Sequence, residues 1–190
     1  MSTIIAKVGG SLFDLPDLRQ RIAAFLASKS PDRVLFVPGG GAGADVIRSL
    51  DRTHGLGDEA SHWLALRVLS INAQFLARLL SIPVVDRIDE MTGSSAILDA
   101  LEFCRDDDAR HGALPHRWDV TSDSIAARVA ALADAELIMF KSVDLPDGMT
   151  WKEAAERGYV DGTFPDVAKS IHVTWVNLRQ PTFAAIPEST

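Results

Sequence analysis

The run Val34-Leu35-Phe36-Val37 is wholly apolar and is cut off at once by Pro38-Gly39-Gly40-Gly41. A strand without polar alternation expects burial on both faces, as in a parallel sheet, and a glycine cluster is a strong breaker. The same pattern recurs twice. Thr3 to Val8 is short and β-prone and stops at Gly9-Gly10-Ser11, and Leu137 to Phe140 is apolar and stops at Lys141-Ser142-Val143-Asp144. Pro83-Val84-Val85 and Ile171 to Val176 read as two further strands.

Helical periodicity fills the intervals. Leu15, Leu18, Ile22, Phe25 and Leu26 recur at helical spacing, with Asp14 and Pro16 where a helix start prefers them, and Ser30-Pro31-Asp32 ends that segment. Asp45 to Arg52 is helical, and Asp58 to Leu80 is the longest candidate, with Leu64, Val68, Ile71, Phe75 and Leu79 as its apolar stripe. A weak helix is expected around Ser95 to Phe103 and a short one at Trp151 to Arg157. Another, carrying Ile125, Val129 and Leu132, follows the capping types Thr121-Ser122-Asp123-Ser124. Strands alternating with helices predict one α/β domain over residues 1–190, a three-layer αβα sandwich with a mainly parallel central sheet.

Composition narrows the class. The 190 residues suit one domain, and 47% hydrophobic with 24% charged residues excludes a disordered or fibrous chain. A net charge of -7 argues against nucleic acid or an anionic membrane as partner. No uninterrupted apolar run reaches the roughly 18 residues of a membrane span. The N-terminus lacks a secretory pattern, so a soluble cytoplasmic protein is expected. Cys104, the one cysteine, reads as a small core residue. Asp106 to Asp108 reads as a solvated acidic loop, and no metal-ligating residues are assigned.

In a parallel sheet the carboxyl ends of the strands share one edge, where open α/β sheets bind ligands. Lys7, Gly9, Gly10, Ser11, Gly39, Gly40, Gly41 and Lys141 therefore converge there. Glycine-rich loops that lead into helices turn backbone N–H groups toward an anion, and lysine neutralises charge on a phosphoryl group in transfer. Neither loop follows the G-x-x-x-x-G-K-[ST] or G-x-G-x-x-G pattern, which disfavours a Walker-type fold and a Rossmann dehydrogenase. Asn72 falls within an apolar helix face, as a satisfied core amide or a ligand contact. His62 beside Trp63 is a substrate contact or a surface pair packed on the core. Trp118-Asp119 is a packed loop or a site, and Asp45 opens the helix after the glycines.

Lys7-Val8-Gly9-Gly10-Ser11, Val37-Pro38-Gly39-Gly40-Gly41 and Thr121-Ser122-Asp123 leading into Ala135-Glu136-Leu137-Ile138 resemble the amino acid kinase superfamily over nearly the whole chain. The resemblance implies transfer of the ATP γ-phosphoryl group to a small anionic acceptor, with ATP and Mg2+ as cofactors and a homo-oligomeric assembly. By motif, Lys7 would stabilise the transferring phosphoryl, Gly9, Gly10 and Ser11 would cradle ATP phosphates, and Gly39 to Gly41 would lie on the acceptor side. Asp123 would orient the catalytic lysines and Asp144 would lie near the nucleotide. Asp45, His62, Asn72 and Asp119 are the candidate acceptor contacts. Many members supply a second catalytic lysine from a later Gly-Gly-Met-containing loop; this sequence lacks that loop, and Lys141 is the candidate substitute. Asp58 to Trp63 and Leu114 to Asp123 resemble the aminomethylfuran phosphate kinase branch of methanofuran biosynthesis. The alternatives are a non-catalytic nucleotide- or oxyanion-binding or storage protein of the same fold, and a uridylate or amino acid kinase.

Overall fold

The computed structural model describes residues 3–29 and 33–181, so the break read at Ser30-Pro31-Asp32 lies outside the described residues. Six parallel strands form one sheet in the order β3-β4-β2-β1-β5-β6. They are β1 Thr3–Val8, β2 Arg33–Pro38, β3 Val84–Val85, β4 Ser95–Leu98, β5 Glu136–Lys141 and β6 Val173–Asn177. The helices are α1 Leu18–Lys29, α2 Gly41–His54, α3 Asp58–Leu80, α4 Ala100–Asp107, α5 Ser122–Ala133, α6 Trp151–Glu156 and α7 Phe164–Val167. The expected three-layer αβα arrangement is borne out, with an apolar core on each face of the sheet.

The pleat assigns each face. Ile5, Leu35, Val37, Leu137 and Met139 point toward α4, α5 and the α6–α7 segment. Ile4, Ala6, Val8, Val34, Phe36, Ile138 and Phe140 point toward α1. In the β1–β5 register Lys7 lies beside Met139, so Lys141, two residues further on, leaves its strand on the same face as Lys7. That face is the one that α5 covers.

Three expectations about local structure are corrected. The first concerns Ser95–Leu98, which is not the start of a helix but β4, inserted between β2 and the edge strand β3. Asp99 then caps α4 by accepting from the Leu101 amide at 3.0 Å. The second concerns α3, whose apolar stripe is not its buried face: Ile71 is 68% and Phe75 40% exposed, and the buried residues are Ser61, His62, Leu66, Leu69, Ala73 and Leu76. Leu66 and Leu69 pack into one core and Ala73 and Leu76 into the other, because α3 crosses from one side of the sheet to the other. The third concerns α1, which starts at Leu18 rather than near Asp14, since Asp14 is held by Arg179 and Gly10–Leu12 forms a 3-10 turn.

By length and composition α3 could cross a membrane, which qualifies the reading of no apolar run; in this fold it packs on β2, β4, α2 and α4. Within the supposed acidic loop, Asp107 is buried at the end of α4 and accepts two hydrogen bonds from Arg128, at 2.9 and 3.0 Å. Cys104 packs against the core, where burial pushes its thiol up to about 12.

Candidate active site

The two glycine loops touch. A Cβ on Gly10 would lie 2.1 Å from the Gly41 nitrogen, and one on Gly39 would lie 2.5 Å from the Gly10 nitrogen. Gly41 also has a φ of +54°, which opens α2 with a left-handed residue. The contact therefore requires hydrogen at these α-carbons. Gly10→Ala should force the loops apart, destabilise the fold by about 1–3 kcal/mol, and abolish ligand binding between them. Thermal unfolding and nucleotide titration of that variant check this; wild-type values in both would show the close approach to be dispensable.

Not every glycine amide faces a ligand. Gly9 donates to Phe140 O at 2.9 Å and Gly39 to Val8 O at 2.8 Å, so these two N–H groups extend the sheet ladder. Gly10 and Ser11 begin the 3-10 turn and Gly41 begins α2, where the first N–H groups of a helix have no partner within it. Asn72, on α3, donates from Nδ2 to Gly39 O at 2.7 Å and to Gly40 O at 3.0 Å. Its amide holds the second loop in shape, so the polar residue on an apolar helix face has found its partner.

A cavity of about 740 Å³ opens beside these loops. Lys7, Gly10, Ser11, Gly39, Gly40 and Gly41 line its inner end, and Asp45, His62 and Asn72 line its walls. His62 is buried, and its ring stacks on His116 with centroids 5.2 Å apart. Burial first, and His116 second, push the His62 pKa down and keep it neutral, so it meets the cavity as an uncharged imidazole. Asp119 does not line the cavity. Its carboxylate makes paired 2.9 Å hydrogen bonds with Arg117, and its carbonyl accepts from the Thr163 amide.

Beneath the cavity floor lies a charged trio. Asp123, on the first turn of α5, has Oδ1 2.7 Å from Lys7 Nζ and Oδ2 2.7 Å from Lys141 Nζ. All three side chains are nearly enclosed, with 6%, 7% and 13% exposure for Lys7, Asp123 and Lys141. Lys141 also donates to the Tyr159 carbonyl at 2.7 Å and sits 5.2 Å from the centre of the Trp175 ring. Burial alone would raise the Asp123 pKa, but the two ammonium groups outweigh it and hold the carboxyl below its usual range. Burial and then the neighbouring Lys7 charge lower Lys141 to about 8. The offset of Lys141 from the sequence motif is immaterial once the register is known: two strands and one helix bring both lysines to one carboxylate.

A second recess of about 450 Å³ is lined by Trp175, Asp144, Asn177 and Gln180. Gln180 Nε2 donates to Asp144 Oδ1 at 2.6 Å. The Ser11 and Ser142 hydroxyls, 2.9 Å apart, close the gap between the first glycine loop and the end of β5. Of the trio, Lys7 lines the larger cavity, and the Trp175 ring that Lys141 faces also borders the second recess.

Sequence reasoning did not single out several groups. Arg48, Arg117 and Arg179 line the larger cavity, together with Trp118, which had been read as part of a packed loop or a site. Arg48 lies 5.4 Å over the Trp118 ring and bonds Asp45 at 2.7 Å, while Trp118 Nε1 donates to Asp51 at 2.8 Å. Arg48 was accessible, being one helical turn after Asp45. Arg117 and Arg179 carry no local signal; chain packing alone brings them here.

No protein-family model matches this sequence. It is 26% identical, over 93% of its length and 88% of the relative's, to the (5-(aminomethyl)furan-3-yl)methyl phosphate kinase of Methanocaldococcus jannaschii. Its fold is similar to that of the uridylate kinase of Archaeoglobus fulgidus, with a TM-score of 0.63 and 18% identity over 93% of this chain and 90% of that one. The UMP kinase of Bacillus anthracis gives a TM-score of 0.59 and 14% identity over 95% and 88%. In sequence along nearly its whole length, and in fold, the resemblance of this chain to the amino acid kinase superfamily is borne out.

Proposed function

We propose that this protein is an ATP-dependent phosphotransferase that moves the γ-phosphoryl group to a small anionic acceptor bound in the larger cavity. The observation that carries the reading is the Lys7–Asp123–Lys141 trio, with both ion pairs at 2.7 Å and Lys7 lining the larger cavity. Similarity to a phosphate kinase along nearly the whole chain supports it, and favours a phosphomonoester as acceptor. The arginines Arg48 and Arg117 on the cavity wall suit an acceptor that already carries a phosphate.

Bound ATP with magnesium would supply the phosphoryl group and neutralise part of its charge. The residues present fit that ligand. The amides of Gly10, Ser11 and Gly41, at the starts of the 3-10 turn and α2, would hold its oxygens, and the recess holding Asp144 would take the nucleotide side. Magnesium would arrive with the phosphate groups of ATP and add positive charge there. Lys7 then contacts the transferring group, Lys141 adds a second positive charge, and Asp123 fixes the direction of both ammonium groups. An acceptor that is already an anion needs no base, so catalysis is positioning and charge stabilisation.

The storage alternative drew on the missing second lysine; Lys141 on the same carboxylate weakens that ground. The exposed Val46, Leu50, Ile71 and Phe75 on α2 and α3 offer an apolar surface for the homo-oligomer, which sedimentation tests. We assign the protein to the cytoplasm, where ATP is supplied.

The deciding experiment incubates the protein with ATP, magnesium and, in turn, aminomethylfuran phosphate, UMP and N-acetylglutamate, and measures ADP. Turnover with the first is expected. Nucleotide binding without ADP across the panel would return the reading to a storage protein. The rate should also have a basic limb. Because Lys141 is lowered to about 8, it loses its charge above that pH and kcat falls up to tenfold per unit. Lys141→Arg, whose guanidinium stays charged, should flatten that limb; a limb of unchanged position in the arginine variant would assign it to another group.

A further inference from the structure

Asp161 lies in the turn between α6 and α7, and the functional site described above does not use it. Its carboxylate is nonetheless densely bonded. Oδ2 accepts from the Thr121 amide at 2.9 Å, the Thr121 hydroxyl at 2.8 Å and the Ser124 amide at 3.0 Å. Oδ1 accepts from the Ser124 hydroxyl, from the Thr163 amide at 3.1 Å and from the Phe164 amide at 2.9 Å. One side chain therefore takes two backbone donors and two hydroxyls at the start of α5 and closes its own turn at the same time. Two residues earlier, the Tyr159 carbonyl takes the hydrogen bond from Lys141.

We propose that Asp161 is the positioning residue of the lysine pair: it ties the first turn of α5, which carries Asp123, to the 159–164 segment, whose Tyr159 carbonyl receives Lys141. The consequence rests on the phosphotransfer reading, but the tie itself does not. Both anchors of Lys141 hang from elements that this carboxylate joins. Its negative charge also favours the ammonium form of Lys141, in the same direction as Asp123 and against Lys7 and burial. The groups facing Lys141 are Lys7 from β1, Asp123 from α5, the Tyr159 carbonyl and Asp161 from the α6–α7 region, and the Trp175 ring from β6. A helix-capping carboxylate with only a structural role would lower stability when removed but leave this titration where it was.

The test follows the lysine signals of the full chain, labelled with 13Cε-lysine, by NMR across the alkaline range; Lys141→Met assigns the Lys141 resonance. In Asp161→Asn the Lys141 midpoint should fall by about half a unit or more below its wild-type value. Ser124→Ala, which removes one bond to the same carboxylate but no charge, should lower the melting temperature and leave the midpoint in place. An unmoved Lys141 in Asp161→Asn overturns the proposal, and so does an equal fall in Ser124→Ala. If Asp161→Asn does not fold, Asp161→Glu keeps the charge: a wild-type midpoint supports the proposal and a fall overturns it. The titration needs no substrate, so failure of the wild-type protein to form ADP bears on the proposed function alone. Where turnover is found, Asp161→Asn should lower kcat by about tenfold with KM for ATP unchanged.

Discussion

Lys7→Ala is expected to lower kcat by about 10²–10³-fold while leaving KM for ATP nearly unchanged. Lys7 is the one member of the trio that lines the larger cavity, and its ammonium is anchored 2.7 Å from Asp123, so it is aimed before any ligand arrives. Such a preorganised charge acts on the oxygens as charge develops on them, and less on the ground-state nucleotide, which the loop amides also hold. The split between kcat and KM is therefore diagnostic. A variant that loses ATP affinity but keeps its turnover would make Lys7 a binding residue. The removal also leaves Asp123 with Lys141 alone, which keeps that carboxylate paired and limits the structural damage.

The second large effect is on stability. Asp123→Asn removes the sole negative charge from between two nearly buried ammonium groups that are held by it at 2.7 Å each. Breaking a buried ion pair by deleting one partner costs about 3–5 kcal/mol, because the remaining charge is left without compensation. For a chain of this size that corresponds to a melting temperature lower by about 6–20 °C. The deficit has a pH signature. Without the carboxylate, Lys141 gives up its proton in the folded state below about 8, whereas the unfolded chain holds it to near 10.5. The unfolded state then binds more protons, so the variant gains stability as pH rises, and the gap to wild type should narrow toward pH 8. Differential scanning calorimetry of both proteins at several pH values measures it. A gap that widens with pH would mean that the lysines are not the source of the loss.

Both predictions depend on the convergence of segments far apart in the chain, and the sequence foretold that convergence unevenly. The apolar runs of β1, β2 and β5, each ending in glycine or lysine, were readable because full burial on two faces leaves a local trace. So was the cap at Thr121, whose hydroxyl accepts from the Asp123 amide. β4 left almost no trace: four residues, Ser95–Leu98, give too little periodicity to separate a strand from a helix, and its central place comes from pairing with β2 and β3. The stripe on α3 was legible only as an average, since the helix changes the core it faces between Leu69 and Ala73. Asp161 had no pattern to announce it, because its partners Thr121 and Ser124 are 40 and 37 residues away.

Local order in this chain, then, is written in neighbours two to four residues apart: where the inner strands run, where glycine stops them, and which helices follow. That two lysines reach one carboxylate, which glycines touch, and which arginines turn inward are set by strand register and by the crossing of α3. Those depend on contacts across the sheet, where packing and the pairing of buried charge choose among arrangements that local periodicity leaves equal.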